Sequence, residues 1–365
     1  MSGSEALCER LGIQHPIFGF TPSEHVAAAI SRAGGLGVLG CVRYNDPADL
    51  EAALSFMDEN TDGRPYGVDI VMPAKIPTEG TPKDLSALVP KEHKEFVERT
   101  LLKLGVPPLS GESAGDAGVL GWLHSVARSH VDVALGHRIS LIANALGSPP
   151  VDVIERAHAA GVPVAALAGT AAHARRHVDN GVDIVVAQGY EAGGHTGEIA
   201  SMVLVPEVVD VVGDRVPVLA AGGIGSGRQV LAAHALGASG VWMGSYWLTT
   251  AEYQLGESPI QTALVRATSS DTVRSRIYTG KPARLLKNKW TQAWTEDDAP
   301  EPLPMPLQNM LVGEAHARMN KGGDPDVVAM PVGQIVGRMN EIRPVAEVMA
   351  SLLAEIEEAR AKLKA

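Results

Sequence analysis

The stretch Val182-Asp-Ile-Val-Val-Ala-Gln-Gly-Tyr-Glu-Ala-Gly-Gly-His-Thr-Gly197 sets the reading of this chain. Val182 to Ala187 is a short apolar run rich in β-branched residues, and it reads as a buried strand. Directly after it, glycines crowd around one histidine. Glycine lacks a Cβ, so this backbone can adopt positive φ and lie against a flat ligand. His195 is the only side chain there that titrates near neutral pH. A strand ending in Gly-Gly-His is a place for chemistry; a glycine-rich turn with a solvated histidine is the competing reading.

The same kind of strand recurs outward from this point. His15 to Gly19, Leu36 to Gly40, Tyr66 to Met72, Ile139 to Ala145 and Pro163 to Ala168 precede it. Val216 to Ala221 and Gly240 to Met243 follow. Helix-patterned segments separate nearly all of them. Ser23 is the expected N-cap of a helix from His25 to Ala33, closed by Gly34-Gly35. Asp46 and Pro47 open the next. This alternation implies a parallel sheet, open and doubly wound or closed. About eight strands in 365 residues fit an α/β fold of the closed (β/α)8 TIM barrel type better.

From Pro73 to Gly121 the pattern loosens into an insertion after the third strand. It holds an amphipathic helix, Lys91 to Leu104, and a glycine loop, Gly111 to Gly118. We expect residues 1–250 to form the barrel, with this elaboration at about 73–121. Residues 251–365 would form a C-terminal, mainly helical cap over its mouth, ending in a long helix from Glu341 to Lys364.

The net charge of -11, with no dominant basic stripe, argues against a nucleic-acid partner. Two cysteines, Cys8 and Cys41, make neither a disulfide framework nor a metal-ligand set. No apolar run is long enough for a bilayer, and residues 1–10 carry no signal core. The expectation is a cytoplasmic enzyme acting on a small molecule, as monomer or homo-oligomer, with no membrane and no metal. His173 and His177 share a helical face, which reads as solvated. Arg274, Arg276, Lys281 and Arg284 read either as surface salt bridging or as a patch for an acidic substrate.

In a barrel, functional groups gather at the C-terminal strand ends, and a phosphate commonly sits after the seventh and eighth strands. Here those ends read Ala221-Gly222-Gly223 and Met243-Gly244-Ser245. Bare amides beside helix N-termini suit a phosphate dianion. Gly223-Ile-Gly225-Ser-Gly227-Arg228 breaks the dinucleotide spacing, and no Walker A element is present.

The order of Gln188, Ala192-Gly-Gly-His-Thr-Gly197, Pro217-Val-Leu-Ala-Ala-Gly-Gly-Ile224, Gly240-Val-Trp-Met-Gly-Ser245 and Thr279-Gly-Lys-Pro-Ala-Arg284 resembles the nitronate monooxygenase family, once called 2-nitropropane dioxygenases. The resemblance runs from His15 to about Asn288 and is strong at the glycine motifs. It implies an FMN-dependent oxidoreductase that turns alkyl nitronates, with nitroalkanes as a second candidate substrate, into a carbonyl compound and nitrite with O2. It implies His195 as the catalytic histidine. It places Phe18, Gly19, Asp69, Gln188, Gly193 and Gly194 near the flavin, and Gly222, Gly223, Met243, Gly244 and Ser245 at its phosphate end. Asp69 stands where the family typically has Asn, and Gly19-Phe-Thr-Pro22 replaces an Ala-Pro-Met-like segment. The alternatives are an FMN-dependent reductase of an enoyl- or acyl-thioester, and a flavin-free phosphate-binding lyase or isomerase.

Overall fold

Strands of only four or five residues leave little choice of architecture: each must find two neighbours and bury both faces. In the computed structural model, which describes residues 3–72, 86–109, 123–253 and 259–364, they do so by closing on themselves. In chain order the strands are β1 (Ile17–Thr21), β2 (Leu36–Gly40), β3 (Tyr66–Ile70), β4 (Leu141–Asn144), β5 (Val164–Ala168), β6 (Ile184–Gln188), β7 (Gly194–His195), β8 (Val218–Ala221), β9 (Gly240–Met243), β10 (Thr272–Ser275) and β11 (Ala283–Leu286). The barrel runs β1-β2-β3-β4-β5-β6-β8-β9, all parallel, and β1 pairs with both β2 and β9. The fold is therefore the closed (β/α)8 TIM barrel, not the open sheet.

Alternation along each strand divides the core in two. Val186 points inward with Phe18, Val38, Leu141, Leu219 and Trp242, while Val185 and Ala187 point outward to the helices. Leu7 and Leu11, on the helix Gly3–Leu11, plug the inner cluster. Helix caps form where the side-chain chemistry calls for them: Ser23 accepts from Val26 N–H and Asp46 from Ala48 N–H. One outer helix, Ser201–Val212, had no clear sequence signal. Its valine-rich run favours strand by propensity, but burial of Leu204, Val205, Val208 and Val212 overrides that preference.

The C-terminal third departs from the expected cap in two respects. First, its last helix, Val345–Lys364, packs against Glu24–Arg32 and Gly227–Ala235. Those are the helices after the first and seventh barrel strands, so the last helix fills the eighth outer position and belongs to the wall, not to a lid. Second, the region carries strands as well as helices. β10 and β11 join β7 in a small sheet of order β10-β11-β7. Two further helices, Lys289–Ala293 and Leu307–Lys321, share one core with Lys91–Lys103 around Phe96, Leu101, Trp290, Trp294 and Val312. The helix Lys91–Lys103 of the insertion and the C-terminal region are thus packed together. The expected loop Gly111 to Gly118 lies outside the described residues.

The wall contact is close. A Cβ built on Gly227 would stand 2.4 Å from both Ile356 N and Leu352 O. Gly227 N–H also donates to Glu355 Oε2 at 2.7 Å. Gly227→Val should therefore lower stability by roughly 1–3 kcal/mol through overpacking. Thermal unfolding reads this out, and an unchanged Tm would show that the helix is not pinned there.

Candidate active site

His195 is aimed by a segment almost ninety residues further along the chain. β7 and β11 pair antiparallel, setting His195 opposite Ala283 and Gly194 opposite Arg284. Gly194, at φ +72°, makes the turn that a side-chain-bearing residue resists. Thr279 Oγ1 lies 2.6 Å from His195 Nε2 and also accepts the Lys281 backbone N–H at 3.4 Å. Arg284, almost wholly buried, donates through Nε and Nη2 to the Tyr190 carbonyl at 3.2 and 2.9 Å. Its guanidinium also stacks 4.4 Å from the Tyr190 ring centre. Of the expected basic cluster, then, Arg284 is structural, Arg274 and Arg276 donate to the Thr196 and Gly280 carbonyls, and Lys281 faces the site.

A cavity of about 610 Å³ opens beside the ends of β4, β5 and β6. Gln188, His195 and Lys281 line it, and among the described residues that do so none is Asp or Glu. Burial, helped by the Lys281 charge, pushes the His195 pKa down to about 4. The imidazole is therefore neutral near pH 7. Burial also pulls the Lys281 ammonium below its ordinary value.

Asp69 points into the barrel from β3, level with Gly40 and Ala143, and is 3% exposed. Burial raises its pKa to about 7, against a lowering contribution from the Ala145 N–H. Oδ1 has no partner among the described residues. A buried carboxyl poised between its two states, with one oxygen left without a partner, suits a polar edge of a bound ring better than a structural role.

On the adjoining strand ends, Gly222 and Gly223 have φ of +100° and +71°. Among the described residues, no backbone hydrogen bond takes the N–H of Gly222, Gly223, Gly244 or Ser245 as donor. These unspent amides flank the helix Gly227–Ala235 and a short helical turn, Ser245–Thr249. Ser245 Oγ accepts from Gly333 N–H at 2.8 Å and keeps its own proton to give. The group fits a phosphate.

The structure does not bring every expected residue to the mouth. Phe18 is fully buried within the barrel, stacked on Trp242, and Phe20 is the aromatic above it. The missing Cβ of Gly19 makes room for Ile30 and Trp247 in the outer layer. Met243 also packs outward. Gly193 is a glycine because Val332 and Gly333 pass against it, with Gly333 N 2.6 Å from where a Cβ would stand. That strap also joins Gln334 N–H to the Glu191 carbonyl. Thr279 as the partner of His195, and Asn144, which ties Met72 and Gly147 to the end of β4, had no distinguishing sequence signal.

Comparison with known proteins gives the family. Residues 4–355 match the family model described as nitronate monooxygenase. The chain belongs to the nitronate monooxygenase family. It is an oxidoreductase of that family. It is 48% identical over 364 residues to a Mycobacterium tuberculosis protein named "Putative monooxygenase Rv1533", covering 96% of this chain and 95% of that one. Among solved structures, it is similar to a nitroalkane oxidase from Streptomyces ansochromogenes, with 28% identity, TM-score 0.81 and 98% and 99% of the two chains covered. It is also similar to FabK from Thermotoga maritima, with 29% identity, TM-score 0.74 and 98% of each chain covered.

Two measurements check the electrostatics. Replacing Lys281 by Met removes a charge that opposes protonation of His195. The His195 imidazole, followed by NMR, should titrate near pH 4 in the parent protein and higher in Lys281→Met, still below the ordinary histidine range. Equal titration in both would separate Lys281 from the site. For Asp69, the folded state holds the proton more tightly than the unfolded chain, whose carboxyl titrates near 3.8. Its contribution to stability is therefore greatest below that value and declines as pH rises through about 7. Asp69→Asn removes the decline. It should stabilise the protein at pH 8 relative to pH 5, the stability gap between variant and parent shifting by on the order of 2 kcal/mol between the two. A stability gap independent of pH would show that Asp69 is an ordinary carboxylate.

Proposed function

We propose that this enzyme binds FMN and oxidises alkyl nitronates, and nitroalkanes by way of them, with O2 to a carbonyl compound and nitrite. The carrying observation is a neutral histidine fixed by Thr279 at the wall of a cavity lined, among the described residues, by cationic and no acidic side chains. FMN fits the residues present. The free amides of Gly222, Gly223, Gly244 and Ser245 would hold its phosphate, and the unpartnered Asp69 Oδ1 and Gln188 would meet its ring. Bound FMN would supply the electron-transfer chemistry with O2.

The chain's own residues do the rest. With Nε2–H donating to Thr279 Oγ1, His195 keeps Nδ1 bare. A neutral nitroalkane entering the cavity loses its α-proton to that nitrogen. The nitronate left behind is an anion, and the Lys281 ammonium attracts it in a partly dehydrated setting. A substrate supplied already as the nitronate needs no proton removed and uses the Lys281 attraction alone. Among the described residues, no acidic side chain lines the cavity to repel it.

The test is His195→Asn, which keeps a polar side chain that takes no proton near neutral pH. Nitrite release from neutral nitroalkanes should fall about 10²–10⁴-fold. Release from pre-ionised nitronates should fall much less. Equal rates for variant and parent on both forms, with flavin still bound, would remove His195 from the chemistry. Denaturing the holoprotein and chromatographing the flavin should yield FMN. NADPH or NADH consumption in air without any nitronate would point to the thioester-reductase alternative instead.

A further inference from the structure

Lys281 is an amine as well as a charge. Among the described residues that line the cavity it is the one primary amine. Its backbone is fixed on both sides. Lys281 N–H donates to Thr279 Oγ1 at 3.4 Å, and two residues further on Ala283 enters the ladder opposite His195. The side chain is partly buried and makes no hydrogen bond or ion pair among the described residues. Other lysines are held differently. Lys91 pairs with Glu95 at 3.1 Å, and Lys103 with Glu296 at 3.0 Å. A carboxylate partner favours the ammonium and so withholds the nitrogen lone pair. Lys281 lacks that restraint, and burial pulls its ammonium below the ordinary value. Its surroundings favour the free amine, the form that attacks a carbonyl carbon.

Arg176 lines the same space, but a guanidinium stays protonated and forms no stable imine. Apolar side chains, including Leu146, Pro149 and Leu167, offer contact to an alkyl chain. We propose that Lys281 is a covalent carbonyl site, where an aldehyde in the cavity condenses with Nζ to give an imine and water. As a product site it rests on the proposed reaction, which releases a carbonyl compound into this cavity. The ammonium first gives one proton to solvent. The freed Nζ lone pair bonds to the carbonyl carbon, and the C–O π pair moves onto oxygen. That oxygen takes one proton from Nζ and becomes a hydroxyl. It leaves as water with a proton regained from solvent, while the nitrogen pair closes the C=N bond. The lysine nitrogen stays singly positive, and no oxidant or reductant is consumed. Aldehyde product thereby occupies the group that draws in the nitronate, until water reverses the step.

The experiment incubates the enzyme, supplied with FMN, with hexanal and sodium cyanoborohydride in the absence of any nitro compound. Hydride from the borohydride reduces each imine to a stable hexylamine, and peptide mass spectrometry locates it. Lys281 should be labelled several-fold faster than Lys91 and Lys103. Those two are the more exposed, so access alone gives the opposite order. Lys281→Arg keeps the positive charge and should leave only the slow surface labelling. Labelling of Lys281 no faster than that of Lys91 or Lys103 overturns the proposal.

Because the labelling needs no turnover, it separates this site from failure of the reaction itself. If no nitro compound is oxidised but hexanal labels Lys281 first, the reaction is wrong and the carbonyl site stands. If nitronates are oxidised and hexanal does not label Lys281 first, the carbonyl site is wrong. Where both hold, oxidation of the nitronate of a primary nitrohexane under cyanoborohydride should itself place a hexyl group on Lys281. Turnover that leaves Lys281 bare overturns its role as a product site.

Discussion

The pairing of Gly194–His195 with Ala283–Arg284 is the contact on which the site depends. A two-residue strand has no stability of its own. It persists because Arg284 is buried against Tyr190 and because the strap at Val332–Gly333 packs on Gly193. The same pairing delivers Thr279 to His195 Nε2 and Lys281 to the cavity. The geometry of the catalytic candidate therefore rests on the region after the barrel, which reaches the glycine loop through one backbone ladder.

That dependence explains the path of the C-terminal third. Its last helix closes the barrel wall at Gly227, and its middle helices share a core with Lys91–Lys103. Anchored at both places, the intervening β10–β11 ribbon is held against the mouth. Arg318 reinforces the link, donating to Glu98 at 3.1 Å while itself almost buried. An arginine so placed is costly to bury unless paired, so its bonds help to fix how the two segments register.

The electrostatics follow from where the carboxylates are and are not. Asp69 is buried deep between strands, where desolvation raises its pKa to about 7. Glu191, beside Gly223, is engaged by Ser201 N–H and Oγ, both at 2.9 Å through Oε2. Both acids are thus withdrawn from the open space. What faces the cavity is neutral imidazole, ammonium and guanidinium, an environment that admits an anion and leaves a base uncharged.

The sequence by itself determined the barrel. Short, near-continuous apolar runs bounded by Ser23, Asp46-Pro47 and the glycine breaks carry local physics, and local physics is readable in one dimension. It also set Gly222, Gly223 and Gly244 just beyond the ends of barrel strands, because a missing Cβ after an apolar run is a local fact too. The reason each glycine is there was a different matter. Gly222 and Gly223 do bend with positive φ, but Gly19 and Gly193 are small for the sake of Ile30 and the 332–333 strap, partners distant in sequence. Phe18 and Met243 were assigned to the right strands at depths or faces that only barrel closure sets. The Thr279 bond, the neutrality of His195, the cavity face at Arg176 and the eighth-helix position of Val345–Lys364 all arise from long-range packing. Burial and pairing between remote segments decided them, and no residue announces such neighbours in its own stretch of chain.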